Sequence, residues 1–163
     1  MQVSEFNHQL PKFLVAAVLF FAWGTVQGAL QAQQPVHDFL QQGPAAIIVG
    51  AHTHIGTLGW VSLPLFAVIY YLAPILSGKP IAWQGFVNWL FWLWVIALAV
   101  MAALMIMVGV LAGSAFAVGV RGPGLDALMA PYMIAISLLG ILLAVLALLF
   151  VVQVLVSLNH TAK

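Results

Sequence analysis

Long runs of apolar residues, separated by shorter polar stretches with proline or glycine, dominate this chain. A helix needs about 20 apolar residues to cross a bilayer, and four of the runs meet that length. They cover residues 13–30, 45–72, 86–111 and 131–158. The breaks between them contain helix-ending residues, as in Gly122-Pro123-Gly124. The pattern predicts four transmembrane helices, the last of which begins at Pro131, where proline lacks only an N–H that is unpaired anyway.

Composition fixes the class of the protein. Of 163 residues, 65% are hydrophobic and 4% are charged, with a mean hydropathy of +1.17. This is too few polar side chains to cover a soluble globule, so we predict an all-α integral membrane protein with residues 1–163 as a single membrane domain surrounded by lipid. The absence of cysteine excludes a disulfide or thiolate site in this chain, and a net charge of +1 gives no reason to expect a nucleic-acid partner.

The basic residues predict the orientation in the membrane. With four spans, both termini and the second connection share one side, which carries Lys12, Lys79 and Lys163, whereas Arg121 alone lies on the other side. Cytoplasmic segments are enriched in lysine and arginine. We therefore expect both termini in the cytoplasm.

Two histidines lie within the second apolar run, in the sequence His52-Thr53-His54. Ionisable side chains at membrane depth are costly and usually functional. Side chains two positions apart on a helix diverge by about 200°, so this pair cannot chelate one metal ion. The histidines serve two sites on opposite helix faces, or one of them serves none, and both lie in the outer half of the membrane.

Glycines accompany both imidazoles. Gly56 and Gly59 follow His52 by four and seven positions, and Gly50 precedes His54 by four. Each histidine therefore projects beside a part of the helix surface that has no bulky side chains. A flat macrocycle could lie there. Close helix packing explains the same glycines without a cofactor, and for the glycines alone it is the favoured interpretation.

Haem is the ligand that best suits two separate imidazoles. A closed zinc or copper site needs further histidine, cysteine or carboxylate ligands, and the four predicted spans supply none, so we predict no copper. Haem needs only one or two axial ligands in an apolar slot. Its propionates need cationic partners, for which Arg121 is the candidate on the same side of the membrane, although a solvated loop charge explains Arg121 equally well.

The third apolar run carries Trp89, Trp92 and Trp94 near one end. Tryptophan is enriched where a membrane meets water. We interpret the three indoles as an interfacial belt in preference to an electron relay.

Four segments carry a family resemblance. They are residues 51–61 (AHTHIGTLGWV), 69–74 (IYYLAP), 87–93 (VNWLFWL) and 128–132 (LMAPY). Together they resemble the last four helices of the catalytic subunit, subunit I, of haem–copper oxidases, most closely the cbb-type oxidases and their nitric oxide reductase relatives. The chain departs from that pattern at Leu90, where the relatives usually have histidine.

The resemblance implies roles for the candidate residues. It assigns His52 to the high-spin haem, His54 to the low-spin haem and Arg121 to the haem propionates. It also implies that the four helices form one arc of a bundle that has three arcs in the relatives. The helices with the copper ligands have no counterpart in this chain, so oxygen reduction by the chain alone is not expected.

Three functions follow as hypotheses. The first, which we favour, is a b-type haem protein of a bacterial inner (plasma) membrane that carries electrons or binds a diatomic gas. The second is a subunit of a split respiratory oxidase or nitric oxide reductase, active only with partner chains. The third is a structural or assembly subunit without a cofactor. An arc also favours a homo-oligomer, for example a trimer, in which neighbouring copies or other respiratory subunits complete the haem slots.

Overall fold

A computed structural model describes residues 5–159 of the chain, and every regular element in that range is helical. The α-helices are α1 (Pro11–Gln31), α2 (Gln34–Leu40), α3 (Ile47–His54), α4 (Ser62–Ser77), α5 (Gln84–Ala117) and α6 (Pro123–Asn159). Two 3₁₀ turns, Glu5–Gln9 and Gly43–Ala46, precede α1 and α3, and a π-helical segment, Ile55–Val61, joins α3 to α4. We call the continuous helix from the second 3₁₀ turn to the end of α4 the second span.

Four helices in the described range are long and apolar enough to cross a membrane. They are Asn7–Gln31, Gly43–Ser77, Gln84–Ala117 and Pro123–Asn159. The prediction of an all-α membrane protein with four spans is confirmed.

The predicted start of the last helix was wrong. α6 begins at Pro123, and Pro131 lies inside it. The connection between α5 and α6 is shorter than predicted and consists of one short turn. Gly119 and Gly122 in this turn have φ values of +96° and +56°, a left-handed conformation that glycine adopts without strain. Proline at the first helical position and Asp126 in the first turn both favour a helix start there. Transmembrane helices tolerate an internal proline, which explains why Pro131 does not end α6.

The first connection, predicted as a break over residues 31–44, contains α2. This short helix folds back onto the end of α5. A Cβ atom built on Gly113 would come within 2.7 Å of the Phe39 ring, so the glycine allows the close approach. The segment therefore covers one end of the bundle.

The second span is the centre of the fold. It contacts α1 on one side and both α5 and α6 on the other. α6 buries side chains only in its second half, where Leu143, Leu146 and Phe150 join the core, and residues 123–142 contain no buried side chain. The first half of α6 therefore adds no fully buried side chain to the core.

A buried polar network fixes the turn between α4 and α5. The Tyr70 hydroxyl donates to Gln153 Oε1 at 2.7 Å, and Gln153 Nε2 donates to the carbonyls of Ala82 and Trp83 at 2.6 and 3.2 Å. Trp83 has a φ of 52°, which is costly for a bulky residue. The amide of Gln153 thus holds this strained turn against α6.

Lys12 and Lys79 lie at one end of the bundle and Arg121 at the other, since the helices alternate in direction. Lys12 donates to Asn88 near the start of α5 and lies over the Phe91 ring. Lys163 falls outside the described residues. Which end faces the cytoplasm stays a prediction.

Candidate haem-binding site

His52 and His54 occupy the last turn of α3 and line two separate clefts. The cleft at His52 lies between α1 and the second span and measures about 270 Å³. The cleft at His54 lies between the second span, α5 and α6 and measures about 220 Å³. The structure thus places the two imidazoles in different environments, as the angular separation along a helix predicts.

α1 makes room for the His52 imidazole at Gly28. A Cβ atom at this position would lie 3.0 Å from His52 Cε1, closer than most side-chain contacts allow. Gly24, one turn earlier, lines the same cleft. Neither glycine was predicted as part of the site, although two glycines four positions apart in an apolar helix are a known signal of close helix contact.

The His52 ring carries a buried nitrogen without a hydrogen bond. Among the residues that the structure describes, none donates to or accepts from His52 Nδ1. An unsatisfied buried polar atom costs about 1–3 kcal/mol and calls for an explanation, such as an ion or ligand at the site. The imidazole is therefore poised to gain stability from an additional partner.

His54 shows the opposite arrangement. Its Nδ1 lies 2.7 Å from the carbonyl oxygen of Gly50. A carbonyl can only accept, so Nδ1 carries the proton and Nε2 keeps its lone pair. Metal-binding histidines typically use their other nitrogen in this way, which fixes the tautomer and the ring orientation.

The three glycines predicted to leave room for a macrocycle have different surroundings. Gly56 lines the His52 cleft, and a Cβ atom there would meet nothing within 4 Å. At Gly59 the added atom would lie 2.6 Å from Phe20, and at Gly50 it would lie 2.9 Å from Met105. Gly50 and Gly59 are therefore in close contact with side chains of neighbouring helices, and Gly56 is the open position; a role of the three in haem binding stays a prediction.

Arg121 lies in the turn between α5 and α6, exposed and already partnered. Its guanidinium donates to the carbonyls of Phe116 and Val120 and stacks on the Phe116 ring at 3.3 Å. The predicted contact with a haem propionate would require it to exchange these partners.

The belt interpretation was wrong for Trp94. Its side chain is 2% exposed, and its indole N–H donates to the carbonyl of Leu58 at 3.0 Å. Trp89 and Trp92 are 66% and 51% exposed, which suits residues that face lipid or its interface. A residue thought to mark the membrane surface instead lines the His54 cleft.

The donor set fits axial ligation of haem. Among the side chains that the structure describes, residues 7–159, no three histidine, cysteine, aspartate or glutamate residues lie close enough to hold a metal ion together, as a closed zinc site would require. A single imidazole in an apolar cleft is what haem iron needs from a protein. Both clefts are open, and their volumes fall below the range of about 300–1,000 Å³ that is typical of pockets enclosing a ligand.

Comparison with known proteins identifies relatives of the chain. It is 33% identical over 100 residues to a cytochrome c oxidase subunit 1 homolog of Agrobacterium tumefaciens (strain T37). The matched segment covers 61% of this chain and 18% of the relative. It is 27% identical over 103 residues to cytochrome c oxidase subunit 1 of Rhodobacter capsulatus, or 63% of this chain and 19% of the relative.

A third relative is the cbb3-type cytochrome c oxidase subunit CcoN1 of Stutzerimonas stutzeri, 30% identical over 83 residues, or 50% of this chain and 17% of the relative. The chain thus spans less than a fifth of the length of these relatives. The sequence model of the family described as Cytochrome C and Quinol oxidase polypeptide I matches residues 1–142. With most of its length covered by that match, the chain belongs to the family of haem–copper oxidase subunit I.

Proposed function

We propose that this chain is a b-type haem protein of a bacterial inner membrane, which carries electrons or binds a diatomic gas at iron held by His52 or His54. The observation that carries the proposal is the hydrogen bond from His54 Nδ1 to the Gly50 carbonyl. It leaves the lone pair of Nε2 available on a residue that lines an apolar cleft.

Haem, when bound, would supply iron that changes redox state or binds a gas. His54 would donate its Nε2 lone pair, and the Gly50 carbonyl would hold the ring in place. His52 would serve the second cleft, where Gly28 and Gly56 leave space against the second span. Apolar walls around both imidazoles would keep water from the iron and set its potential. Two histidine ligands to one iron favour electron transfer, whereas an open position favours gas binding.

A second candidate function is one part of a split oxidase or nitric oxide reductase. Two observations favour it. Each cleft is open and smaller than a typical ligand-enclosing pocket, and the relatives are more than five times as long as the matched segment. Under this proposal other chains would cover the open sides of the clefts and supply the remaining ligands.

Absorption spectra of the purified protein, oxidised and reduced, test the proposal. We expect a Soret band and a reduced-minus-oxidised α band in the wild type. His52→Leu and His54→Leu should each lose or change part of this signal. His37→Leu, which changes an exposed histidine in α2, is the matched control and should leave it intact. A colourless wild-type protein, expressed equally well with both histidines replaced, would instead support a structural subunit without a cofactor.

A further inference from the structure

The hydrogen-bond ladder of the second span shifts by one residue just after the histidines. In an α-helix the N–H of Ser62 would donate to the carbonyl of Leu58. Here it donates to the carbonyl of Thr57, one residue further back, and the Ser62 hydroxyl reaches the same oxygen at 2.8 Å. The Leu58 carbonyl has therefore lost its α-helical donor.

Trp94 supplies a donor to this carbonyl from another helix. Its indole N–H lies 3.0 Å from Leu58 O. The ring is held in turn by an edge contact with Phe66, with ring centroids 4.9 Å apart and an interplanar angle of 78°. Because the indole is buried and fixed, it stabilises the π-helical segment specifically.

The buried residues of the second span show why the segment matters. Ala51, Ile55, Gly59 and Leu63 are all buried, at a regular spacing of four residues. From Ala51 to Leu63 is twelve steps along the chain, and at about 100° per step an α-helix makes three full turns and a further rotation of about 120°. In a regular α-helix, Leu63 would therefore not lie on the same face as Ala51. The wider π-helical turn absorbs this rotation.

We infer that Trp94 is a positioning residue for the histidine pair: its hydrogen bond to Leu58 maintains the π-helical segment and thereby sets the direction of His54 relative to the rest of the second span. The part of this inference that concerns the iron rests on the proposed haem function, and the part that concerns the π-helical segment does not. His54, Leu58 and Trp94 line the same cleft, so a change in the segment alters the wall of the His54 site directly.

A first experiment needs no cofactor. Trp94→Phe keeps an aromatic ring and removes the donor, while Trp89→Phe makes the same change at an exposed position of α5. We expect amide hydrogen exchange over residues 58–63 to accelerate about tenfold in Trp94→Phe, as the loss of one buried hydrogen bond predicts, and to stay unchanged in Trp89→Phe. Equal exchange in the two variants would overturn the inference.

Ser62→Ala provides a second route if Trp94→Phe does not fold. It removes the hydroxyl bond to Thr57 and should accelerate exchange over the same residues. The ¹⁵N shifts of the His54 imidazole should move in both variants and stay fixed in Trp89→Phe. Unchanged His54 shifts together with unchanged exchange would show that the π-helical segment does not depend on these bonds.

A second experiment addresses the iron. In haem-loaded protein, Trp94→Phe should shift the electron paramagnetic resonance signal and midpoint potential of the haem at His54 without abolishing haem binding. Wild-type protein that binds no haem would contradict the proposed function, and the exchange measurement would still decide the role of Trp94. A haem-loaded wild type whose signal is identical in Trp94→Phe would overturn the positioning role alone.

Discussion

The two imidazoles of the second span differ in what their Nδ1 atoms contact. His54 Nδ1 donates to the carbonyl of Gly50, whereas the buried Nδ1 of His52 has no partner within the described part of the chain. The first ring is fixed by the second span itself, and the second ring is positioned by contact with α1 at Gly28. The two sites should therefore respond differently to substitution.

Gly28 provides a test of the His52 cleft, and Gly85, an open glycine of α5 outside the clefts, provides its control. We expect Gly28→Ala to weaken haem binding on the His52 side by about tenfold, because the added methyl group would displace the imidazole and overpack the interface. Gly85→Ala adds the same group to open space near the start of α5, outside both clefts, and should change little. Haem titration of the apoprotein, followed by absorbance, measures both. Equal affinities for the two variants would contradict the role of Gly28.

The histidine pair could be predicted from the sequence, but its neighbours Gly28 and Trp94 could not. Histidine at membrane depth is unusual enough to be singled out in a single sequence. Gly28 and Trp94 belong to other helices, and their proximity to the histidines depends on how α1 and α5 pack on the second span. Periodicity within one helix carries no information about that packing.

At the scale of the elements, the second span is an α-helix interrupted by a π-helical segment. This interruption lets His54 face one cleft while Leu63 and Tyr70 remain in the core. The spacing of four residues between Ala51, Ile55, Gly59 and Leu63 was present in the sequence. It cannot be recognised as a single buried stripe until burial is known, because many other residues in the run are equally apolar.

The turn between α4 and α5 depends on Gln153. We expect Gln153→Leu to lower the free energy of unfolding by about 1–3 kcal/mol, because the Tyr70 hydroxyl and the Ala82 carbonyl would lose their hydrogen bonds to it in a buried setting. Denaturant titration in detergent micelles, followed by circular dichroism, measures the change. Gln33→Leu is the control, since the exposed Gln33 lies between α1 and α2 and makes one long hydrogen bond, 3.3 Å, to the carbonyl of Ala29 in α1. A loss no larger than that of the control would contradict this role.

For the whole molecule, the open side of the fold is the informative feature. The first half of α6 buries no side chain, and the His54 cleft is open where the middle of α6, from Gly140 to Ala147, forms one of its walls. Neither cleft reaches the size of a pocket that encloses a ligand. A bound porphyrin would therefore need a second surface, from another copy or from another respiratory subunit.

Native mass spectrometry of the haem-loaded protein tests this expectation. We expect each haem-containing species to include more than one polypeptide, either several copies of this chain or this chain with partner subunits. The physical reason is that a second chain can add close packing and further iron ligands around a macrocycle that one open cleft does not enclose, since lipid tails already satisfy apolar surface within the membrane. Detergent-matched apoprotein is the control for nonspecific association. A haem-loaded monomer as the dominant species would contradict the oligomer.

The sequence by itself determined the membrane class, the four spans and the histidine pair, because each follows from local composition and from the geometry of a single helix. Tertiary structure alone decided that Gly59 accommodates Phe20 and that Trp94 is buried at the His54 cleft. These depend on contacts between helices distant in sequence. In a chain that is apolar on nearly every face, hydrophobic pattern cannot distinguish a side chain that meets protein from one that meets lipid.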